Sequence, residues 1–536
     1  MIVERARVQP VTAAAEWWRG AVIYQIYPRS FLDTNGDGVG DLQGVIERLD
    51  YVASLGVDAV WLSPFFKSPM KDFGYDISDY RAVDPIFGDM AQFDRLLERA
   101  HELGLKVLID QVYSHTSDQH AWFVESRADR AGAKADWYVW ADPKEDGSPP
   151  SNWQSVFGGP AWTWDARRKQ YYLHNFLPSQ PDLNLHNPAV QEAILDTTRF
   201  WLERGVDGFR LDAVNFMMHD PSLRDNPPAI DGGKRGRPFD YQQHLFNKSH
   251  PDIVRMLHRL QSVVSEYGGR FTLAEIGGEL ADREMKAYTA GPEGLDSAYA
   301  FSFLYAERLT PELLRSALRA WTGAEGEGWP SWALSNHDAP RAASRWASPE
   351  DCAATAKLNL LLLTAIRGNP IIYQGEELGL PQADLPLSAL KDPEAIANWP
   401  ETLGRDGART PMPWRADDPT GGFTAGEPWL PCPPEHRKLA VERQEGEATS
   451  ALNLTRRLLA LRSSEAALRL GSLHLRESHE PVVVFERSHQ GRTLICAINL
   501  GAGEASTPPL GRILASVNGG SAERLPYRGG VIAEAP

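Results

Sequence analysis

Four segments place chemically able side chains at the ends of apolar runs. "KVLIDQVYSH" carries Asp110 and His115, "GFRLDAV" carries Arg210 and Asp212, "FTLAEI" carries Glu275, and "SWALSNHD" ends in His337 and Asp338. A lone acid at a strand end is ordinarily a helix cap or a loop salt bridge. Three carboxylates arriving from three separate strands, with arginine and histidine among them, weaken that reading. Paired carboxylates in an aromatic-rich cleft are the equipment of glycoside hydrolysis. The chain's 17 Trp and 16 Tyr could supply faces for sugar rings, although aromatics are more often core.

A second acidic stretch, "DTNGDGVGD", runs from Asp33 to Asp41. Asp33, Asn35, Asp37, Gly38 and Asp41 copy the first nine positions of an EF-hand. The twelfth position is Gly44, where an EF-hand needs a bidentate glutamate, and the preceding segment reads as a strand. The EF-hand is therefore rejected. The spacing still favours a hard cation, Ca²⁺ or Mg²⁺, held by Asp33, Asn35, Asp37, Asp41 and the Val39 carbonyl in a structural role. A bare Asp/Asn/Gly turn is the plainer alternative.

The elements that position these residues follow one rhythm: an amphipathic helix, a glycine, one residue, then a β-rich apolar run. It occurs at Gly56, Gly104 and Gly205. Glycine past a helix end adopts the left-handed conformation cheaply, and the short apolar run reads as a buried parallel strand. Further strands are expected at 21–28, 271–276, 331–338 and 370–375, with a less distinct sixth strand near 297–303. Such α/β alternation predicts a (β/α)₈ TIM barrel with its active site at the strand C-termini. "NGDGVGD" does not fit the GxGxxG fingerprint of a dinucleotide fold. The expected organisation is barrel over 1–114 and 187–465, an inserted domain over 115–186 after the third strand, a lid insertion near 376–450, and a C-terminal antiparallel β-sandwich domain over 466–536. Asn187 followed by Pro188 marks the helix that restarts the barrel.

A net charge of -16 argues against nucleic acid or an anionic membrane as partner. Three widely spaced cysteines exclude a disulfide scaffold and any CxxC metal or redox site. The first twenty residues lack the apolar core of a signal peptide, and no long apolar run suggests a membrane span. A cytoplasmic monomer or homodimer acting on a small molecule is expected.

"DQVYSHT", "GFRLDAV", "AEIG" and "SNHD", in this order, resemble the conserved regions of glycoside hydrolase family 13, the α-amylase family. With "GYDISDY", "SVFGGPAW" and "RTPMPW" the chain looks most like the α-glucosidase and oligo-1,6-glucosidase branch. The resemblance implies Asp212 as nucleophile, Glu275 as general acid/base, and Asp338 as the group that binds ring hydroxyls and steadies the transition state. It implies a glucose site containing Asp76, His115, Arg210, His337 and Arg409, walled by Tyr75 and Phe157, with Asp76 and Arg409 gripping the non-reducing sugar. Asp212 must be ionised to attack, which Arg210 favours, and Glu275 must begin protonated, so a raised pKa is expected. Relatives place Val after the nucleophile when they cleave α-1,6 bonds; Ala213 here implies a preference for α-1,4 bonds or sucrose, with transglucosylation to alcohols. Many α-amylases hold calcium with an Asn where this chain has Ser114, which makes that particular site doubtful. A sucrose hydrolase, an α-glucosyltransferase or an isomerase are alternatives within the family. A non-catalytic partner subunit would have lost a carboxylate, and a metal-dependent hydrolase would show HxH or HExxH.

Overall fold

The structure is a computed structural model that describes residues 16–230, 236–323, 327–402 and 404–536. The leader reading above therefore concerns a segment most of which, residues 1–15, lies outside the described residues.

Eight strands form one parallel sheet: β1 (Ile23–Ile26), β2 (Ala59–Leu62), β3 (Lys106–Val112), β4 (Gly208–Asp212), β5 (Phe271–Ile276), β6 (Ser297–Ala300), β7 (Ser331–Ala333) and β8 (Asn369–Tyr373). Sequence neighbours pair in every case but β6 and β7, and β1 pairs with β8. The remaining seam, β6 to β7, closes by one parallel bridge, Ala298 to Pro330, and by the Ser297–Ser331 hydroxyl pair at 2.7 Å. The outer helices are α1 (Leu42–Ser54), α2 (Met90–Glu102), α3 (Pro188–Arg204), α4 (Ile253–Ser265), α5 (Ala281–Tyr288), α6 (Pro311–Ala320), α7 (Cys352–Ala365) and α8 (Ala451–Ser464). This is the TIM barrel that the sequence predicts.

Local chemistry explains the element boundaries. Asp41 caps α1 by accepting from the Gly44 amide, Asp89 and Gln92 form a capping box on α2, and Asn187 caps α3 with Pro188 in its first turn. Gly56, Gly104 and Gly205 all have positive φ, at 88°, 77° and 103°, as the helix–glycine–strand rhythm requires. Gly208 answers a different need. A Cβ there would lie 2.1 Å from the Phe271 carbonyl, so glycine is what lets β4 and β5 approach.

Alternation along the strands sorts the barrel interior by height. Ile23, Ala59, Trp61, Leu108, Phe271, Leu273, Ala333 and Ile371 share one buried apolar cluster, and Trp18 stacks on Phe271 at 5.4 Å. Along β5, Phe271, Leu273 and Glu275 point the same way, so the carboxylate caps an apolar floor. β3 and β4 repeat the device with Leu108 then Asp110, and with Gly208, Arg210, then Asp212; Asp110 and Arg210 are register partners. The chain thus delivers polar groups to one end of a dry core.

Between β3 and α3 lies a small unit with the helix Ala121–Ala128 and a three-stranded antiparallel sheet. Between β8 and α8 the backbone runs through short helices and turns, among them Pro393–Asn398 and Asp406–Ala408. After α8, five antiparallel strands form a sheet: β9 (Ser472–Arg476), β10 (Val482–His489), β11 (Arg492–Asn499), β12 (Ile513–Val517) and β13 (Gly530–Glu534). One face, with Val483, Phe485 and Ile498, joins the main core; the other, with Val482, Val484 and Ile495, packs with Leu525 of a two-stranded ribbon. No helix among the described residues is long and apolar enough to cross a membrane.

Candidate active site

Arg210 is fully buried and organises one half of the barrel mouth. Its Nη1 donates to Asp110 at 2.7 Å and to Asp212 at 2.5 Å, while Nη2 pairs with Glu275. Tyr299 donates its hydroxyl to Glu275 at 3.0 Å, and the Ala213 amide donates to the other Glu275 oxygen at 3.2 Å. Trp61 and Tyr75 each donate to Asp110 at 3.1 Å. Asp212 and Glu275 therefore face one small space across a shared guanidinium.

One cation cannot neutralise three buried carboxylates. Burial, reinforced by Asp110 and Asp338, raises Asp212 to about 7 against the pull of Arg210. Burial also raises Glu275 to about 7, again against Arg210 and with help from Asp212 and Asp338. Asp110 rises to about 6 for the same leading reason. These groups titrate together, so protons belong to the cluster before they belong to any one member. A cluster that holds both a carboxylate and a carboxylic acid near neutral pH can supply a nucleophile and an acid at once.

The other half of the mouth is richer in cations. Arg409 donates to the His337 carbonyl at 2.6 Å and to Asp338 at 2.8 Å, and Arg405 lies 3.4 Å from Asp338. Burial acts to raise Asp338, but His337, Arg409 and Arg405 outweigh it and hold the carboxyl well below the usual range. His337 meets Gln25 at 2.8 Å and the Tyr75 hydroxyl at 2.6 Å, and burial pushes its pKa down to about 3. Tyr75 stacks on it at 5.4 Å. His115 is likewise pushed down to about 4 by burial; it faces the Tyr75 carbonyl at 3.2 Å and Gln180 at 3.1 Å. Ser114, in the place of the calcium-binding Asn, instead meets His115 Nδ1 at 2.9 Å.

The expected grip of Asp76 and Arg409 needs correction. Asp76 is fully buried, and its oxygens accept from Ser68 at 2.9 Å and from the Lys71 and Asp72 amides at 3.0 Å. That carboxylate shapes its own loop. Asp72 is the acid that reaches across: it accepts from Arg405 at 2.8 Å and from Gln180 at 3.0 Å. Arg405 is fixed from behind by Asp392 at 2.8 Å, and Phe157 lies 5.0 Å from its guanidinium carbon. The pair at this end of the mouth is thus Asp72 and Arg405, each four residues ahead of the expected residue, while Arg409 serves Asp338.

Ala213 has φ 42° and ψ 46°, a left-handed conformation that aims its amide at Glu275. The residues that sequence reasoning passed over in this site are Gln25, Trp61, Asp72, Tyr299 and Arg405. Tyr299 had a usable signal, since an inward strand position beside Glu275 is fixed by register.

The Asp33–Asp41 loop is held by its own backbone. Asp33 accepts from the amides of Asn35, Gly36 and Gly38 at 3.0, 2.8 and 2.8 Å, and from Thr424. Asp41 accepts from Thr34 as well as capping α1. The donor set is all oxygen, which suits Ca²⁺ or Mg²⁺. Among the described residues, however, this trio of aspartates does not gather three carboxylate oxygens within 4.8 Å of one another.

A parallel barrel whose mouth gathers buried carboxylates around one arginine defines a glycoside hydrolase of the barrel type. The description "Alpha amylase, catalytic domain" matches residues 25–471. The chain belongs to the α-amylase family, glycoside hydrolase family 13. It is 52% identical over 503 residues to a probable alpha-glucosidase of Rhizobium meliloti (strain 1021), covering 92% of this chain and 91% of that one. An oligo-1,6-glucosidase of Halalkalibacterium halodurans is 37% identical over 518 residues, covering 91% of each. The crystal structure of an alpha-glucosyl transfer enzyme superposes with a TM-score of 0.93 at 51% identity, over 97% of this chain and 99% of that one.

Proposed function

We propose that this enzyme is a retaining, exo-acting α-glucosidase that releases α-glucose from the non-reducing end of short α-glucosides. Asp212 attacks the anomeric carbon as the bond to the leaving oxygen breaks, and Glu275 gives that oxygen its proton. Water, or another alcohol, then attacks the glycosyl-enzyme, returning its proton to Glu275 and freeing Asp212. Two inversions leave the α configuration. Asp338, ionised between His337 and Arg409, meets the sugar hydroxyls and the developing positive charge.

The observation that carries the exo assignment is the buried Asp72–Arg405 pair at 2.8 Å. A further sugar attached at the 4-position would clash there and leave charges unpaired. Ala213 is smaller than the Val of α-1,6-cleaving relatives, which favours α-1,4 bonds or sucrose and admits foreign alcohols as acceptors. The transfer enzyme that the chain resembles supports that second outcome. We assign the enzyme to the cytoplasm on the strength of its free cysteines, and the Asp33–Asp41 loop to a structural Ca²⁺ or Mg²⁺.

The test is one panel: maltose, isomaltose, sucrose, trehalose and starch side by side, products resolved by chromatography and the first-formed anomer by NMR. Release of α-glucose from maltose or sucrose, one unit at a time, is expected. β-Glucose as first product would overturn the roles of Asp212 and Glu275, and rapid internal cleavage of starch would overturn the exo assignment.

A further inference from the structure

Three histidines meet where the inserted segment rejoins the barrel. His186 lies just before α3, His219 in the loop after β4, and His250 just before α4. The rings of His186 and His219 pack edge to face at 5.3 Å, and those of His186 and His250 at 5.0 Å. His186, His250 and Asp252, all partly buried, each offer one ligand atom, and these atoms lie within 4.8 Å of one another.

The hydrogen bonds set which imidazole nitrogens carry lone pairs. His186 Nε2 donates to the His219 carbonyl at 2.8 Å, which leaves Nδ1 unprotonated. This is the arrangement by which ligating histidines are normally oriented, with the second nitrogen tied to a carbonyl or carboxylate. His250 Nδ1 accepts from the Asp252 amide at 3.2 Å and stands 3.8 Å from Asp252 Oδ2, so an ion bound there would take this lone pair in exchange for the amide. Arg255 steadies the other Asp252 oxygen at 2.7 Å.

We propose that His186, His250 and Asp252 form a binding site for a divalent transition ion of the Zn²⁺ type, separate from the sugar pocket. Two imidazole nitrogens and one carboxylate oxygen suit Zn²⁺ and leave a position for water, whereas Ca²⁺ and Mg²⁺ want oxygen alone. Ligands on one zinc stand roughly 3.3 Å apart for metal–ligand bonds of about 2.0–2.2 Å. Partly exposed side chains close that gap by rotation. The ion would tie the end of the inserted segment to the start of α4, and ligand binding to the folded state alone raises stability.

The full chain, stripped with EDTA and dialysed, is titrated with Zn²⁺ by calorimetry and with Co²⁺ by visible absorption. One equivalent should bind, with the absorption bands of nitrogen-bound Co²⁺ and a Zn²⁺-dependent rise in melting temperature. His186→Ala and His250→Ala should each weaken binding at least tenfold, and a large excess of Ca²⁺ should not displace the ion. Because His186 also holds the His219 carbonyl, His250→Gln and Asp252→Asn repeat the test should His186→Ala fail to fold. Absence of saturable uptake overturns the proposal. So does uptake unchanged in the His250→Gln/Asp252→Asn double variant, which would put the ion on others of the 14 histidines.

Discussion

The two halves of the pocket use the same residue types to opposite ends. Around Arg210, three acids share one cation, and Asp110, Asp212 and Glu275 are all raised. Around Arg405 and Arg409, Asp338 is held low and Asp392 is lowered to about 2, both against burial; Asp72 remains raised by burial in spite of Arg405. Burial is common to both halves. The balance of cations against acids sets how far burial is offset. The half proposed to exchange protons is the shorter of positive charge, and the half proposed to grip a neutral sugar is the richer.

The sharpest way to break this comparison is to remove the exchanging groups. Asp212→Asn and Glu275→Gln should each lower kcat more than about 10³-fold with substrate binding retained. Both should also be more stable than the parent above neutral pH. Burial pushes Glu275 up to about 7 from its ordinary value of 4.5, so folding binds a proton there and stability falls as pH rises between those values. Equal melting temperatures for parent and Glu275→Gln at pH 8 would contradict the charge shortage.

Next in size is the grip. Asp72→Asn removes one carboxylate from a buried guanidinium that Asp392 still holds, so the loss should fall below the about 3–5 kcal/mol of a buried charge left wholly unpaired. Maltose kcat/KM should fall about 10²-fold or more, while longer maltooligosaccharides lose less. Asp76→Asn should instead lower the melting temperature and leave the ranking of chain lengths alone. If the two variants exchanged phenotypes, Asp76 rather than Asp72 would be the acid that meets the sugar.

A smaller effect is expected in the pH profile. Maltose kcat/KM should be bell-shaped, falling at low pH as Asp212 gains a proton and at high pH as Glu275 loses one, with both limbs near neutrality. An aryl glucoside whose leaving group needs no proton should keep its rate on the alkaline side. A plateau extending far above neutrality with maltose would remove Glu275 as the acid.

The smallest change is Ala213→Val, worth about 1–3 kcal/mol of discrimination. The maltose-to-isomaltose ratio of kcat/KM should shift toward isomaltose. Overall activity should drop as well, because a β-branched residue tolerates φ 42° poorly. A parent enzyme that already prefers isomaltose severalfold would show that this position does not govern linkage.

How legible the molecule is from its sequence depended on how local each signal is. Gly56, Gly104 and Gly205 announce strands because a helix end and a left-handed turn are settled within a few residues. β6 was the least distinct strand: "SAYA" is four residues long and carries no β-branched side chain, so its place comes from its neighbours. Asp212 and Glu275 stand at strand ends, where period and position suffice to bring them together, while the strand expected over 331–338 ends at Ala333 and leaves Asp338 in the loop beyond it. Asp72 and Asp76 sit in one motif, "DFGYD", and nothing local says which turns inward. The choice is made by Arg405, more than three hundred residues away, through a contact that no spacing encodes. The Asp33–Asp41 loop is explicit in its spacing, and its local order is equally near at hand: the amides of Asn35, Gly36 and Gly38 all donate to Asp33.

The β6–β7 seam closes the barrel with a single bridge and a pair of serine hydroxyls, where every other seam has a ladder. A ring stitched so lightly at one point has a preferred place to breathe. The flanking strands carry unlike cargo: Tyr299 on β6 touches Glu275, while β7 leads to His337 and Asp338. Parting that stitch would shift the wall that carries His337 and Asp338 against Tyr299, whose hydroxyl also accepts from Arg210 at 3.1 and 3.2 Å. Amide exchange along Ser297–Ala300 and Ser331–Ala333 should therefore outpace that of the other barrel strands, and a sugar spanning both walls should slow it.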